Sequence, residues 1–462
     1  MTSLAAARER YVSRFGDCEA QLASASPGWL APLRRSSIDR FAELGFPTRK
    51  NEAWKYTSLA AIADADLDPR PAPCGGVSRA DLRALLGDDA SEPLALVFVD
   101  GGCARELSPA RSSADGVLIT SLAGALGAQS DQVRPLLERA DLLDRPFNAL
   151  NGAFQRDGAF VRVTAGARPA EPIQLLFVAS PHATGRVASP RNLIRVERGA
   201  KAAVSLRFAS LCGDVYWTNA VTQIALEEGA ELDLIVLQSE SDRAFHFSLV
   251  DVRQARDSRF RSHQIALGGA LARGEICVRL DAPGAECALN GLFVALGEQH
   301  SDNQTTVEHA RPHGTSRELY KGILGDRARG VFNGLVRVHP DAQRTSARQF
   351  NPNLLISDDA QINTKPTLEI GADDVQCSHG STVGRLDDDA LFYLRARGID
   401  AAAARRMLTL AFASEIALAI PQPVLRAQVE RQITAKLERS PLERDPLDRG
   451  PLERSPRGRE AA

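Results

Sequence analysis

Hydrophobic residues along this chain change their period twice. Near the start, Tyr11, Phe15 and Leu22 recur at roughly helical spacing, and Ser37 with Gly45 brackets a short predicted helix carrying Phe41 and Leu44. Pro47 ends it. Residues 68–76, rich in Pro and Gly, read as a linker. Residues 94–102 read as a buried strand closed by a turn, and residues 131–150 as a helix broken near Pro146. From Ala159 onward short strand words replace the helical spacing. They include Val161-Arg162-Val163, Leu175-Leu176-Phe177-Val178, Val204-Ser205-Leu206-Arg207-Phe208, Ile276-Cys277-Val278-Arg279-Leu280 and Val336-Arg337-Val338. Small-residue turns such as Gly199-Ala200, Gly229-Ala230, Gly284-Ala285 and Gly371-Ala372 separate them. After Asp389 the helical period returns. Leu408, Phe412, Ile416 and Ile420 make one stripe, broadened by Met407, Leu410 and Leu418 and interrupted by Thr409, Ser414 and Glu415. Beyond Pro421 and Pro423 a second helix carries Leu425, Val429, Ile433 and Leu437 against a charged face.

Many short strands with almost no helix between them exclude a doubly wound α/β fold and leave a sandwich, a barrel or a β-solenoid. Asp341-Ala342-Gln343 is echoed by Asp359-Ala360-Gln361, eighteen residues on, which suits the stacked coils of a solenoid. A solenoid exposes unpaired backbone at its edges unless a partner's strands cover them.

Composition narrows the function classes. In 462 residues, 44% are hydrophobic and 25% charged, which is enough for two or three domains and a sizeable core. With 56 basic and 58 acidic residues the formal net charge is -2, so no global field recruits nucleic acid or an anionic membrane. No apolar run is long enough to span a bilayer and the first residues lack a signal-peptide pattern, so the expected compartment is the cytoplasm. The seven cysteines (Cys18, Cys74, Cys103, Cys212, Cys277, Cys287 and Cys377) form no C-x-x-C pair, and their odd number argues against a disulfide framework. Cys277 and Cys287 lie within apolar strand words and read as packing residues. The tail beyond Ser440 repeats a five-residue unit of the type Ser-Pro-Leu-Glu-Arg. Its periodic proline prevents a helix and its single leucine per unit cannot bury a core, so it is expected to be disordered.

Candidate chemistry concentrates in residues 371–384. On an extended backbone Cys377 and His379 share a face, with only Ser378 between them. A thiolate and an imidazole suit zinc, copper or iron–sulfur chemistry, but two donors do not close a tetrahedral shell. The missing donors must come from elsewhere in this chain or from a second one. In the alternative reading Val375, of the same parity, points inward and buries both as a small hydrophobe and a core histidine. His300, His309 and His313 form a second group, without a cysteine, whose first two members meet only if the fold brings them together. No Gly-x-x-x-x-Gly-Lys-Ser/Thr loop or Rossmann glycine fingerprint occurs, so ATP is expected to be handled by a partner. Gly-x-Ser-x-Gly is also missing.

The words around the pair carry a resemblance. Asp373-Asp374-Val375-Gln376-Cys377-Ser378-His379-Gly380 and Leu391-Phe392-Tyr393-Leu394-Arg395-Ala396-Arg397-Gly398-Ile399 resemble the signature of the SufB/SufD family of SUF iron–sulfur cluster assembly proteins, on its SufD side. Tyr320-Lys321-Gly322-Ile323-Leu324, Gly330-Val331-Phe332-Asn333-Gly334 and Gln349-Phe350-Asn351-Pro352-Asn353-Leu354-Leu355 resemble that family in the same order, as does the earlier stretch around Trp54-Lys55-Tyr56. Without the resemblance, Trp54 and Tyr56 read as an aromatic anchor on a packed surface. The match is densest over residues 301–416. SufB carries a cysteine just ahead of its Leu-Leu-Ile segment, whereas here Asn351-Pro352-Asn353-Leu354-Leu355-Ile356 has none, which favours SufD.

The resemblance implies a mainly β protein, a right-handed parallel β-helix flanked by N-terminal and C-terminal helical segments. The expected division is an N-terminal helical and mixed domain (1–115), a helical connection (116–158), a β-helix core (159–386), a C-terminal helical segment (387–438) and the tail (439–462). It further implies a non-enzymatic scaffold that pairs with a SufB-like subunit and docks a SufC-like ATPase through its C-terminal helices. A nascent, transient Fe–S cluster would form at the interface, with His379 and Cys377 as metal-binding candidates. Two other readings stand beside it. One is a β-helix carbohydrate-active enzyme, for which Asp373-Asp374 is the tempting carboxylate pair although adjacent strand residues face opposite ways. The other is a homodimeric scaffold acting alone.

Overall fold

A computed structural model describes residues 3–71, 74–87, 94–108, 113–114 and 116–438, so the repetitive tail lies outside the described residues. Two sheets, of ten and eleven strands, face each other, and from Arg191 onward successive strands alternate between them. Each strand from Lys201 on runs parallel to the strand one full coil earlier, at spacings from 26 residues (Phe245 opposite Leu271) to 32 (Arg329 opposite Gln361). This is a parallel β-helix, mainly β and flanked by helices at both ends of the chain. The eighteen-residue echo is not its repeat. Asp341-Ala342-Gln343 leads into Thr345–Leu355 of one sheet and Asp359-Ala360-Gln361 into Gln361–Ile370 of the other, so the echo relates two corners of one coil.

One corner repeats its conformation in every coil from Gly199 to Arg344. Gly199, Gly229, Asp257, Gly284, His313 and Arg344 all have φ between 54° and 75°. Each donates its backbone N–H to the next coil, from Gly199 to Glu228 O at 2.9 Å through His313 to Gln343 O at 3.0 Å. Only glycine adopts this region freely, so at Asp257, His313 and Arg344 the stacked hydrogen bonds offset a local cost of about 1 kcal/mol or more. Three of the four glycine turns named from the sequence, at Gly199, Gly229 and Gly284, thus belong to this column, and Gly371 does not.

Inside the coils, Val161, Ile194, Ile224, Val252 and Val278 meet a stack of Phe98, Phe177 and Phe208, with ring centroids 4.8 Å apart at each step. The N-terminal helices Ser3–Ser24 and Leu30–Leu44 and the helix Pro146–Phe154 cover the outer face of the eleven-stranded sheet. There Tyr11, Phe41, Phe46, Trp54 and Phe147 pack on Trp217, Phe245 and Phe247. Pro146 opens its helix at N1, where the missing N–H costs nothing, instead of breaking a longer one. Trp54 is the anchor, buried under Arg273, whose guanidinium lies 3.7 Å from the ring centroid and donates to Ala53 O at 3.0 Å. Tyr56 is largely exposed. In the stretch read as a linker, Asp68 is pinned by a β-bridge and an ion pair to Arg186.

The helices Ala401–Leu418 and Pro423–Glu438 lie on the outer face of the ten-stranded sheet, over Ile235, Leu237, Ile265, Leu292, Val294 and Ile323. Leu425, Val429, Ile433 and Leu437 all face it, as their spacing predicts. In the longer helix the buried stripe is rotated from the expected one. Ala404, Thr409, Ala413, Ile416, Ala417 and Ile420 are buried, while Leu408 and Phe412 are half-buried and Met407 and Leu418 exposed. Small side chains let this helix approach the sheet closely, so hydrophobicity alone misplaces its face. Among the described residues no helix is long and apolar enough to cross a membrane.

Candidate functional site

Among the described residues the solenoid ends without a cap. Val375–Gly384 pairs only with Thr345–Leu355, Gln361–Ile370 only with Arg329–Val338, and each is the last strand of its sheet. Val383 and Ile370 are about half exposed, at 50% and 46%. Both sequence-predicted residues lie on Val375–Gly384, which runs uninterrupted, so Val375, Cys377 and His379 share the inward parity. Val375 and Cys377 pack partly buried against Val336, Val338, Ala342, Ala347 and Ala372. His379 is exposed, because among the described residues no further coil covers it. The inward parity of the alternative reading therefore holds for this strand, and the burial it implied is only half present. Burial pushes the Cys377 thiol above its ordinary value.

Directly opposite Cys377 and His379, one coil back, stand Ala347 and Gln349. Gln349 is buried and donates through Nε2 to Glu318 Oε2 at 3.1 Å, which also accepts from Thr305 Oγ1 at 2.7 Å. Burial holds the Glu318 carboxyl at about 7, well above the ordinary carboxylate range. Neither Gln349 nor Glu318 was singled out from the sequence. The signal was the parity of Tyr320, a core aromatic two residues from Glu318.

The second histidine group is not brought together. His300 lies beside Thr57 Oγ1 at 3.0 Å on the outer face, His309 is buried against Ser316 Oγ at 2.9 Å, and His313 occupies the left-handed corner. Cys287 is buried within the coils, as expected of a packing residue. Cys277 differs. It lies half-buried on the outer face, where Arg145 Nη2 donates to its sulfur at 3.0 Å. Asp373 and Asp374 are exposed on a corner, with Asp374 3.7 Å from Arg344. Among the described residues no three His, Cys, Asp or Glu side chains converge as a metal-binding group. Cys377 and His379 accordingly stand as a pair on the last described strand of their sheet.

A family model described as SUF system FeS cluster assembly, SufBD core domain, matches residues 177–412, and a SufBD protein N-terminal region model matches residues 5–71. The chain belongs to the SufBD family. The iron–sulfur cluster assembly protein SufD of Escherichia coli is 33% identical over 409 residues, covering 88% of this chain and 93% of that one. An iron–sulfur cluster assembly SufBD family protein of Synechocystis is 30% identical over 426 residues, 90% and 93% of the two chains. Protein ABCI7, chloroplastic, of Arabidopsis thaliana is 29% identical over 426 residues, 90% and 88%. The SufBD core match contains the open edge with Cys377 and His379. The word Asn351 to Ile356, which lacks a cysteine, runs alongside it, with Asn351 opposite Ser381 and Asn353 opposite Val383.

Proposed function

We propose that this chain is a scaffold subunit of a cytoplasmic SUF iron–sulfur assembly complex. It pairs with a SufB-like subunit through its last coil, docks a SufC-like ATPase through its C-terminal helices, and lends His379, with Cys377, to a nascent cluster. The observation that carries this reading is the placement of one thiol and one imidazole on the same face of an uncovered edge strand, two donors short of a closed shell. A ten-residue parallel strand with one free edge offers a row of unpaired N–H and C=O groups, and a partner strand added there would carry further donors to the same place. The other terminal strand is a poorer template, because Pro366 removes a donor from its middle. Family membership supports the partner classes. The exposed Phe392, Tyr393, Met407 and Leu418 on the C-terminal helices, at 74%, 55%, 49% and 60%, supply apolar area for a docked protein. The cluster is cargo here, formed and passed on.

The test is His379→Ala in a complex purified with the neighbouring SufB-like and SufC-like subunits. Iron and sulfide bound after reconstitution should fall sharply while size-exclusion chromatography shows the complex intact. Undiminished cluster on the variant complex removes His379 from the mechanism. A chain that forms only a homodimer in the presence of those subunits removes the heteromeric assembly.

A further inference from the structure

Polar side chains are buried inside the solenoid near its open end. In the final coils of the ten-stranded sheet Glu318, Gln349, Asn351 and Asn353 are 4%, 3%, 0% and 3% exposed. Polar groups in a dry interior are costly unless held in hydrogen bonds. Glu318 Oε2 holds the NH2 end of the Gln349 amide, with Thr305 Oγ1 as its second donor. Oε2 accepts both bonds, and a proton on this carboxyl would sit on the unpartnered Oε1, so the NH2 end of the amide points at Oε2 in either protonation state. The facing strand makes room for it. At Gly334 a Cβ would sit 2.1 Å from Gln349 Nε2 and 2.7 Å from Cδ. The other end of the amide, Oε1, is buried and has no hydrogen-bond partner. One coil further on, at the register position opposite Gln349 and with the same inward parity, stands His379.

We propose that Gln349, locked by Glu318, is a positioning residue for His379: its Oε1 accepts a hydrogen bond from one ring nitrogen, so that the other ring nitrogen presents its lone pair to the site. This rests on the reading of His379 as a donor to the cluster. An imidazole binds metal in its neutral form, and the proton resides on whichever nitrogen has an acceptor. Gln349 Oε1 can do nothing but accept, so the nitrogen facing it must carry the hydrogen. Without that acceptor an exposed imidazole rotates and exchanges tautomers freely.

The experiment uses the full chain labelled with 15N-histidine, the His379 ring signals among the eight histidines being assigned by their loss in His379→Gln. The wild-type ring should show one dominant neutral tautomer. Gln349→Met, similar in length and without an acceptor, should return the ratio to that of a free histidine while circular dichroism shows the fold retained. Gln349→Asn, which keeps the amide but shortens its reach, gives the same readout if the Met variant does not fold. In the complex, Gln349→Met should lower cluster formation about tenfold, as loss of a group orienting a metal ligand commonly does. The proposal is overturned if wild-type His379 already has the tautomer ratio of free histidine, or if a folded Gln349 variant leaves that ratio unchanged. Its failure is separable from failure of the ligand reading, which is decided by cluster yield on His379→Ala.

Discussion

Replacing Glu318 by Gln should make this protein more stable at neutral and alkaline pH, and leave it unchanged in acid. The carboxyl is 4% exposed, and burial raises its pKa from 4.5 to about 7 against the opposing hydrogen bonds from Thr305 and Gln349. A folded pKa above the unfolded one means that the protonated carboxyl contributes stability fully below pH 4.5, and that this contribution is lost as pH rises through about 7. At about 1.4 kcal/mol per pKa unit, the loss amounts to roughly 3 kcal/mol. Glu318→Gln abolishes the titration and keeps a side-chain oxygen that can accept from Thr305 and Gln349. The variant should therefore exceed wild type by up to about 3 kcal/mol at about pH 8 and match it near pH 4.5. Urea midpoints across this range give the comparison, with amide exchange in Thr315–Leu324 and Thr345–Leu355 reporting the local effect. Equal pH slopes for the two proteins between the two pKa values would refute the reasoning.

Three further outcomes follow from the packing. His263, fully buried beneath the C-terminal helices with neither ring nitrogen bonded, has its pKa lowered by burial from 6.5 to about 4. Its neutral form stabilises the fold above pH 6.5 and this is lost as pH falls through about 4, so acid urea titrations of His263→Phe should show a shallower decline than wild type. Lys321, 7% exposed, donates to Phe412 O at 3.0 Å and pairs with Glu415. Lys321→Met should cost about 1–3 kcal/mol, seen as faster amide exchange in Ala401–Leu418 before any change in the sheets. Trp54→Ala removes a buried ring and the face that Arg273 covers. It should cost about 3–5 kcal/mol and make the N-terminal helices the first site of limited proteolysis.

The strands and corners were legible in sequence because they are chemically distinct, and the family resemblance selected the solenoid among the folds they permit, whereas its repeat length was not legible. Glycine marks three of the six corners of the column from Gly199 to Arg344, and the others carry Asp257, His313 and Arg344, held by backbone hydrogen bonds that no residue type announces. Coils of 26 to 32 residues also defeat a search for a fixed period. The last helix was read correctly from Leu425, Val429, Ile433 and Leu437, whereas the helix before it was rotated. There alanines face the sheet, and Thr409 is buried by bonding its hydroxyl to Arg405 O at 2.9 Å. A hydroxyl returned to its own helix hides its polarity, which a hydrophobic stripe does not anticipate.

Cys377 and His379 were visible because two metal-binding residue types share a strand face. The buried side chains next to them were invisible because the terminal coils invert the usual rule. In Thr345–Leu355 the apolar Phe350 faces outward and is 44% exposed over Gly380, while the polar Gln349, Asn351 and Asn353 face inward and are buried. Read by alternation alone, that strand turns inside out, and Glu318 and Gln349 become surface residues. The inversion has a physical consequence at the open end. An apolar interior would leave His379 with nothing to bond on its inner side and the last coil with no reason to hold it in one orientation. An exposed Phe350 on the outer face likewise keeps apolar area available to whatever covers the edge.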